Sequence, residues 1–269
     1  MSDTTLAVVS DAPTGLAVRT QKRYGWRPDH PDMRDYLAAV EPLKTLPREV
    51  SLRDQMPPVY DQGQLGSCTA NSIGAILQFN ELKQGQKDAA TPSRLFIYYN
   101  ERVMEGTVDQ DSGAEIRDGI KSVAQLGAPP ETDWPYEIND FATKPPVPAY
   151  EDGLKHQAIR YARVPQTQMG IQNVLASGYP ISFGFTVYES FEKDVGSDGI
   201  VPMPQPNEPV IGGHAVVAIG YKPIGRQLYF ECRNSWGADW ADQGYFWMPA
   251  AYVTSSNLAQ DFWVIEQVE

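Results

Sequence analysis

The sequence predicts an α+β protein with a mainly helical lobe over about 60–140 and a mainly β lobe over about 150–269. Three observations point there. In the first half, apolar residues recur at three- and four-residue steps, as in Ala70, Ile73, Ile76 and Leu77, the period of a helix with one buried face. In the second half the pattern alternates with period two, in ISFGFTVY, HAVVAIGY, RQLYFECR, GYFWMPA and DFWVIEQV, and Gly, Pro or Asn separates the runs, as in an antiparallel sheet. Hydrophobic residues make up 42% and charged residues 21% of 269, a globular composition long enough to bury a sizeable core.

Along the chain, residues 1 to about 20 are small, polar and without periodicity and read as a flexible lead. Residues 21–45 read as an ordered arm, because YGWRPDHPDMRDY combines aromatics with two prolines, which favour extended backbone over helix. Together these form an N-terminal extension, 1–45, in front of a main domain over 46–269. After Leu46-Pro47 an extended approach ends in the glycine-punctuated loop DQGQLGSC. A helix is predicted from Cys68 to about Lys83, with Gly85 as its stop; others follow from Ser93 to about Val103 and from Ala114 to Gln125, the last stopped by Gly127 and Pro129-Pro130. VPMPQPNEPVIGG, before His214, is expected to be a surface loop.

Charge and residue counts exclude several classes. A net charge of -12 and a pI near 4.7 argue against nucleic acid as the main partner, because phosphate binding requires a basic surface. No apolar run approaches the roughly 18 residues that a membrane span requires, and the N-terminus lacks a basic start followed by an apolar stretch, so the reading is a soluble, cytoplasmic protein. Two cysteines and three histidines, none at metal-ligand spacing, predict neither a disulfide framework nor a zinc site, and no cofactor is implied.

The chemistry concentrates around Cys68. A thiol in the first turn of a helix faces unpaired backbone N–H groups and the positive end of the dipole, which favours the thiolate. In the loop before it, Gly63 and Gly66 permit close approach of a substrate, and Gln62 carries an amide that can donate to a developing oxyanion. A hairpin centred on Ile224 places His214 opposite Asn234, so the Asn carbonyl can accept from one imidazole nitrogen and leave the other for a thiolate. Cys232 alternates with Leu228 and Phe230 and reads as core, as do Trp240 and Trp247; His30 and His156 read as exposed.

QGQLGSC, GGHAVVAIGY and NSWGADWADQGYFWM resemble the three active-site blocks of papain-like cysteine peptidases, in the same order. His214 lies 146 and Asn234 lies 166 residues after Cys68, against about 130 to 150 for that family. The resemblance runs from about Leu46 to the C-terminus. It implies a two-lobed fold with Cys68 as nucleophile, Gln62 and the Cys68 N–H as oxyanion donors, His214 as base, Asn234 as its orienting amide, and Trp236 as the indole that shields their hydrogen bond. It nominates Ser112 and Gly113 as backbone contacts for the residue preceding the scissile one, Ala259 as a wall of that pocket, and Gly66 and Gly213 as further cleft contacts. Leu65 and Thr69 stand where the family has a disulfide cysteine and an aromatic residue, and Gly213 where many members are acidic.

The resemblance also implies a peptide or protein substrate and two roles for residues 1–45. They block the cleft as a propeptide does, with Tyr24-Gly25-Trp26-Arg27-Pro28 as rigid anchors, or they pack elsewhere as a structural arm; in the first case deleting 1–45 raises activity. Two other readings of the same residues stay open, an acyl transferase of transglutaminase-like type and a catalytically silent peptide-binding module.

Overall fold

The computed structural model describes residues 24–38, 43–86 and 89–269; the flexible lead predicted over 1–20 lies outside them. Helix α1 (Cys68–Lys83) is buried on every side from Cys68 to Glu81, so it forms the centre of the helical lobe rather than its surface. Against it pack α2 (Arg94–Glu105) and α3 (Ile116–Leu126). Ser93 caps α2 by accepting from the Phe96 N–H, and Gly106 ends it in the left-handed conformation at φ 70°. A short α4 (Val147–Gly153) leads out of this lobe.

The second lobe is a sheet of seven strands among the described residues: β1 (Val50–Ser51), β2 (Ala158–Arg163), β3 (Ile181–Tyr188), β4 (Val210–Ile224), β5 (Gln227–Arg233), β6 (Tyr245–Pro249) and β7 (Ala259–Val268). They lie in the order β2-β7-β3-β4-β5-β6, with β1 also on β4, and every pairing is antiparallel. Helices α5 (Gln168–Ala176), α6 (Glu189–Lys193) and α7 (Ala250–Val253) complete the fold. No described helix is long and apolar enough to cross a membrane.

Strand β4 joins the two cores. Its alternation sends Ala215, Val217 and Ile219 into the cluster around α1, and Val216, Ala218 and Tyr221 into the cluster on the opposite face with Phe183, Phe185 and Phe246. Each Val, Ile or Phe among them contributes about 1.5–3 kcal/mol by leaving water. The strand that carries His214 is therefore fixed from both faces.

The hairpin register differs from the sequence expectation. Ile224 pairs with Gln227 across a two-residue turn, Gly225-Arg226, with Gly225 at φ 61°. Pro223 stays in the strand opposite Leu228, a bulge falls between Ala218 and Gly220, and the ladder ends at Val217 opposite Arg233. His214 is thus not the ladder partner of Asn234; its backbone pairs with Phe185 of β3. The tighter turn and the bulge shift the pairing by two to three residues from a hairpin centred on Ile224.

Residues 24–38 run as an extended arm over both lobes. Trp26 forms an isolated parallel bridge with Ala114 and Leu37 one with Arg163 on the edge strand β2. Asp29 anchors the arm: its carboxylate accepts from the Trp263 indole N–H at 2.8 Å, from Arg163 at 2.7 Å and from the Arg117 backbone N–H at 3.0 Å, while its own N–H donates to Asp261 at 2.8 Å.

Candidate active site

Cys68 opens α1, so its sulfur sits at the positive end of a sixteen-residue helix. From the facing lobe comes His214, completely buried, whose Nε2 lies 2.8 Å from Asn234 Oδ1. Asn234 follows β5 directly, and its Oδ1 also accepts from the Ser235 N–H at 2.8 Å. Two donors therefore fix the Asn carbonyl, and Nδ1 of His214 points away from it. Trp236 stacks on the imidazole with ring centroids 4.9 Å apart and 29° between planes, and is only 4% exposed. With Phe191, Trp240 and Phe246 packed behind it, this indole closes the His–Asn hydrogen bond to water.

Gln62 is equally fixed. Its Oε1 accepts from Ser235 Oγ at 2.6 Å and its Nε2 donates to Leu65 O at 2.9 Å, while its backbone N–H donates to Ser235 O. An amide NH2 has two hydrogens, and the Leu65 bond uses one of them. Gly66 donates its N–H to Asp111 Oδ1 at 2.9 Å, which shapes the loop just before Cys68.

The arm fills the space between the lobes. The Trp26 N–H donates to Gly213 O at 3.0 Å, Ala114 N–H donates to Gly25 O at 2.7 Å, and Arg27 N–H donates to Ala114 O at 3.1 Å. Gly25 lies directly on Gly66, where any side chain would collide with the Gly66 carbonyl. The Trp26 indole lies on Gly184 and Gly213, whose missing side chains make room for it: a Cβ on Gly184 would fall 1.9 Å from Trp26 Cε2. Tyr24 stands edge-on to His214 and Trp236, with centroids 6.0 and 6.1 Å away, and its hydroxyl donates to Glu192. Under this cover Cys68 is 0% exposed, and burial pushes its thiol up to about 12 against weaker opposing help from the Ala215 and Gly25 N–H groups.

Of the other residues nominated from sequence, Gly113 adopts φ 69° and lies against Gly25 O, but its N–H donates to Tyr98 OH at 3.2 Å, and its neighbour Ala114 makes the backbone pair with the arm. Ser112 Oγ bonds Thr107 Oγ1 and Gly113 O. Ala259 is buried opposite Phe185, with its carbonyl accepting from Gln166. Cys232 is a free, buried thiol, as the alternation of β5 predicts. His30 is exposed, whereas His156 is only partly so, because its ring turns inward to Glu81 at 2.8 Å.

A buried acid that no sequence motif announces stands beside Cys68. Thr69 donates through Oγ1 to Glu101 at 2.6 Å, and Glu101 is fully buried with Oε2 lacking a hydrogen-bond partner. Burial pushes this carboxyl up to about 8, against the opposing hydrogen bond from Thr69. A carboxyl raised above its unfolded value stabilises the fold less as pH climbs from the unfolded value to the folded one. Wild type is therefore expected to lose on the order of 3 kcal/mol between pH 5 and 8 that Glu101→Gln keeps, read as the difference in urea-unfolding free energy at the two pH values. Equal losses in both proteins would show that Glu101 does not carry that proton.

The chain also matches known proteins. Residues 46–264 match the papain family of cysteine proteases. A peptidase C1-like protein of Acanthamoeba polyphaga mimivirus, L477, is 44% identical over 247 residues, covering 88% of this chain and 76% of that one. The crystal structure of xylellain, a cysteine protease from Xylella fastidiosa, superposes with a TM-score of 0.84 at 41% identity, covering 95% of this chain and 100% of that one. A probable cysteine protease of Arabidopsis thaliana, RD21C, is 30% identical over 204 residues; this chain spans 40% of its length. Fold and sequence together define a cysteine endopeptidase, a hydrolase of peptide bonds. The chain belongs to the papain family.

Proposed function

We propose that Cys68 is the nucleophile of this peptidase, His214 its general base and acid, Asn234 the amide that orients the ring, and Gln62 an oxyanion donor beside the Cys68 N–H. The observation that carries this reading is the bond from His214 Nε2 to Asn234 Oδ1, buried under Trp236. On this reading the Nε2 proton goes to the amide and Nδ1 is left for the sulfur. In the forward step the thiolate attacks the peptide carbonyl and Gln62 Nε2 with the Cys68 N–H receives the oxyanion. His214 protonates the leaving amine, then takes a proton from water to release the acyl group. The bonds to Ser235 and Leu65 hold the Gln62 amide in a fixed position for this use.

The N-terminal extension is best read as an inhibitor that holds the site closed most of the time. Two features support that over a substrate-like pose. Trp26 bridges Ala114 in the parallel sense, the reverse of the antiparallel course that the family resemblance gives a bound peptide. Gly25 directs an N–H at the sulfur, and an N–H donor is not an electrophile. The 46–269 stretch is then the catalytic domain, helical lobe first and β lobe second, with Gly66, Gly113 and Gly213 lining the channel that the arm occupies. A thiol raised by burial stays protonated at neutral pH, so uncovering the site restores water to it and lets the thiolate–imidazolium pair form.

A slowly deacylating peptidyl ester tests the assignment. Incubation is expected to give a burst of alcohol equal to the active sites, with the acyl group mapped by mass spectrometry to Cys68. An acyl group on another residue would contradict it, and net transfer to an added amine in place of hydrolysis would favour the acyl-transferase reading.

A further inference from the structure

We infer that Tyr136 is a positioning residue for the oxyanion site, acting by tying together the two ends of the loop that carries both donors. This rests on the assignment of Gln62 and the Cys68 N–H as those donors. Tyr136 lies far along the chain, in the segment after Trp134-Pro135, and its partly buried ring reaches back to the 62–68 loop. Its hydroxyl donates to the Gln62 backbone carbonyl at 3.0 Å. The same oxygen bonds Ser67 Oγ, on the residue immediately before Cys68. Asn71 Nδ2 donates in turn to Ser67 Oγ at 3.1 Å and to Ser67 O at 2.9 Å. The directions are consistent along the chain: Asn71 to Ser67, Ser67 to Tyr136, Tyr136 to Gln62.

Gln62 and Ser67 are both fully buried, and between them lie Gly63 and Gly66, which give the loop backbone freedom without a clamp. The side-chain bonds of Gln62 fix the amide relative to its own backbone; the Tyr136 hydroxyl fixes that backbone relative to the helix start. Arg94 holds the ring in place, with its guanidinium 4.1 Å from the Tyr136 centroid and its Nε and Nη2 paired with Glu131. Oxyanion donors act through position, and small displacements cost much of their effect.

Tyr136→Phe removes one oxygen and leaves the ring. With a fluorogenic peptide, kcat is expected to fall about tenfold with KM within about twofold, the cost of a lost hydrogen bond realised in the transition state. Alkylation of Cys68 by iodoacetamide, which needs a thiolate but no oxyanion site, is expected to proceed at the wild-type rate. In a Gln62→Ala background, expected to be slowed about 10²-fold, adding Tyr136→Phe should cost less than about twofold more. An unchanged kcat in Tyr136→Phe, or alkylation slowed by the same factor as turnover, would overturn the inference. If Gln62→Ala itself kept full kcat, the oxyanion assignment beneath it would fail instead.

Discussion

Alanine at Cys68 is expected to abolish peptide hydrolysis, and alanine at His214 to lower kcat/KM by about 10⁴-fold, because each removes a partner without which the acyl transfer has no nucleophile or no proton carrier. Asn234→Ala should cost less, about 10²-fold, since the ring keeps its packing against Trp236 and Phe185 but loses the acceptor that selects its tautomer. The double variant His214→Ala/Asn234→Ala should be no slower than His214→Ala alone, because the amide acts only through the ring. Initial rates on one fluorogenic peptide for wild type and the four variants check this order. Appreciable turnover by Cys68→Ala, or an Asn234→Ala defect that persists in full on top of His214→Ala, would contradict it.

Trp26→Ala is expected to activate the full-length chain, raising kcat/KM at least tenfold. The indole is buried against Gly184 and Gly213, and removing it gives up about 2–3 kcal/mol of arm docking, which shifts the closed-to-open ratio roughly 30- to 150-fold. The rest of the arm stays tied through Asp29 to Trp263, Arg163 and Arg117. That anchor makes a point substitution the cleaner test. Deleting residues 1–45 also strips the acceptor from a buried indole N–H and leaves Arg163 facing Asp261 alone, so it perturbs the fold as well as the cleft. A folded Trp26→Ala protein with wild-type kinetics would contradict inhibition by the arm.

Much of this arrangement was legible in the residues themselves. The helix at Cys68 ends at Lys83 as its apolar spacing and Gly85 predict, and the five alternating runs became strands because each buries one or both faces in a large core. The pairing of His214 with Asn234 was legible for a partly mistaken reason. The side chains meet, but across the end of the ladder and not within it, since neither a bulge near Ile219 nor a two-residue turn at Gly225-Arg226 leaves a periodic signature. Contacts between residues far apart in the chain were not legible: the Thr69–Glu101 pair, the Tyr136 bridge and the Asp29 anchor each depend on how separate segments pack. Glu101 gave one sign in retrospect, an acid within a helix whose neighbours Tyr98 and Arg102 are also buried.

Uncovering the cleft is expected to turn Cys68 from a buried, protonated thiol into a thiolate paired with His214. Iodoacetamide labelling at pH 6, followed by peptide mapping of wild type, Trp26→Ala and Trp26→Ala/His214→Ala, tests it most directly, because an ordinary thiol with a pKa near 8.5 is almost unreactive there. Rapid modification of Cys68 and not Cys232 in Trp26→Ala, slow modification in wild type, and loss of the rapid phase in the double variant are predicted. Equal labelling of both cysteines, or a Cys68 that remains inert with the indole gone, would contradict the account.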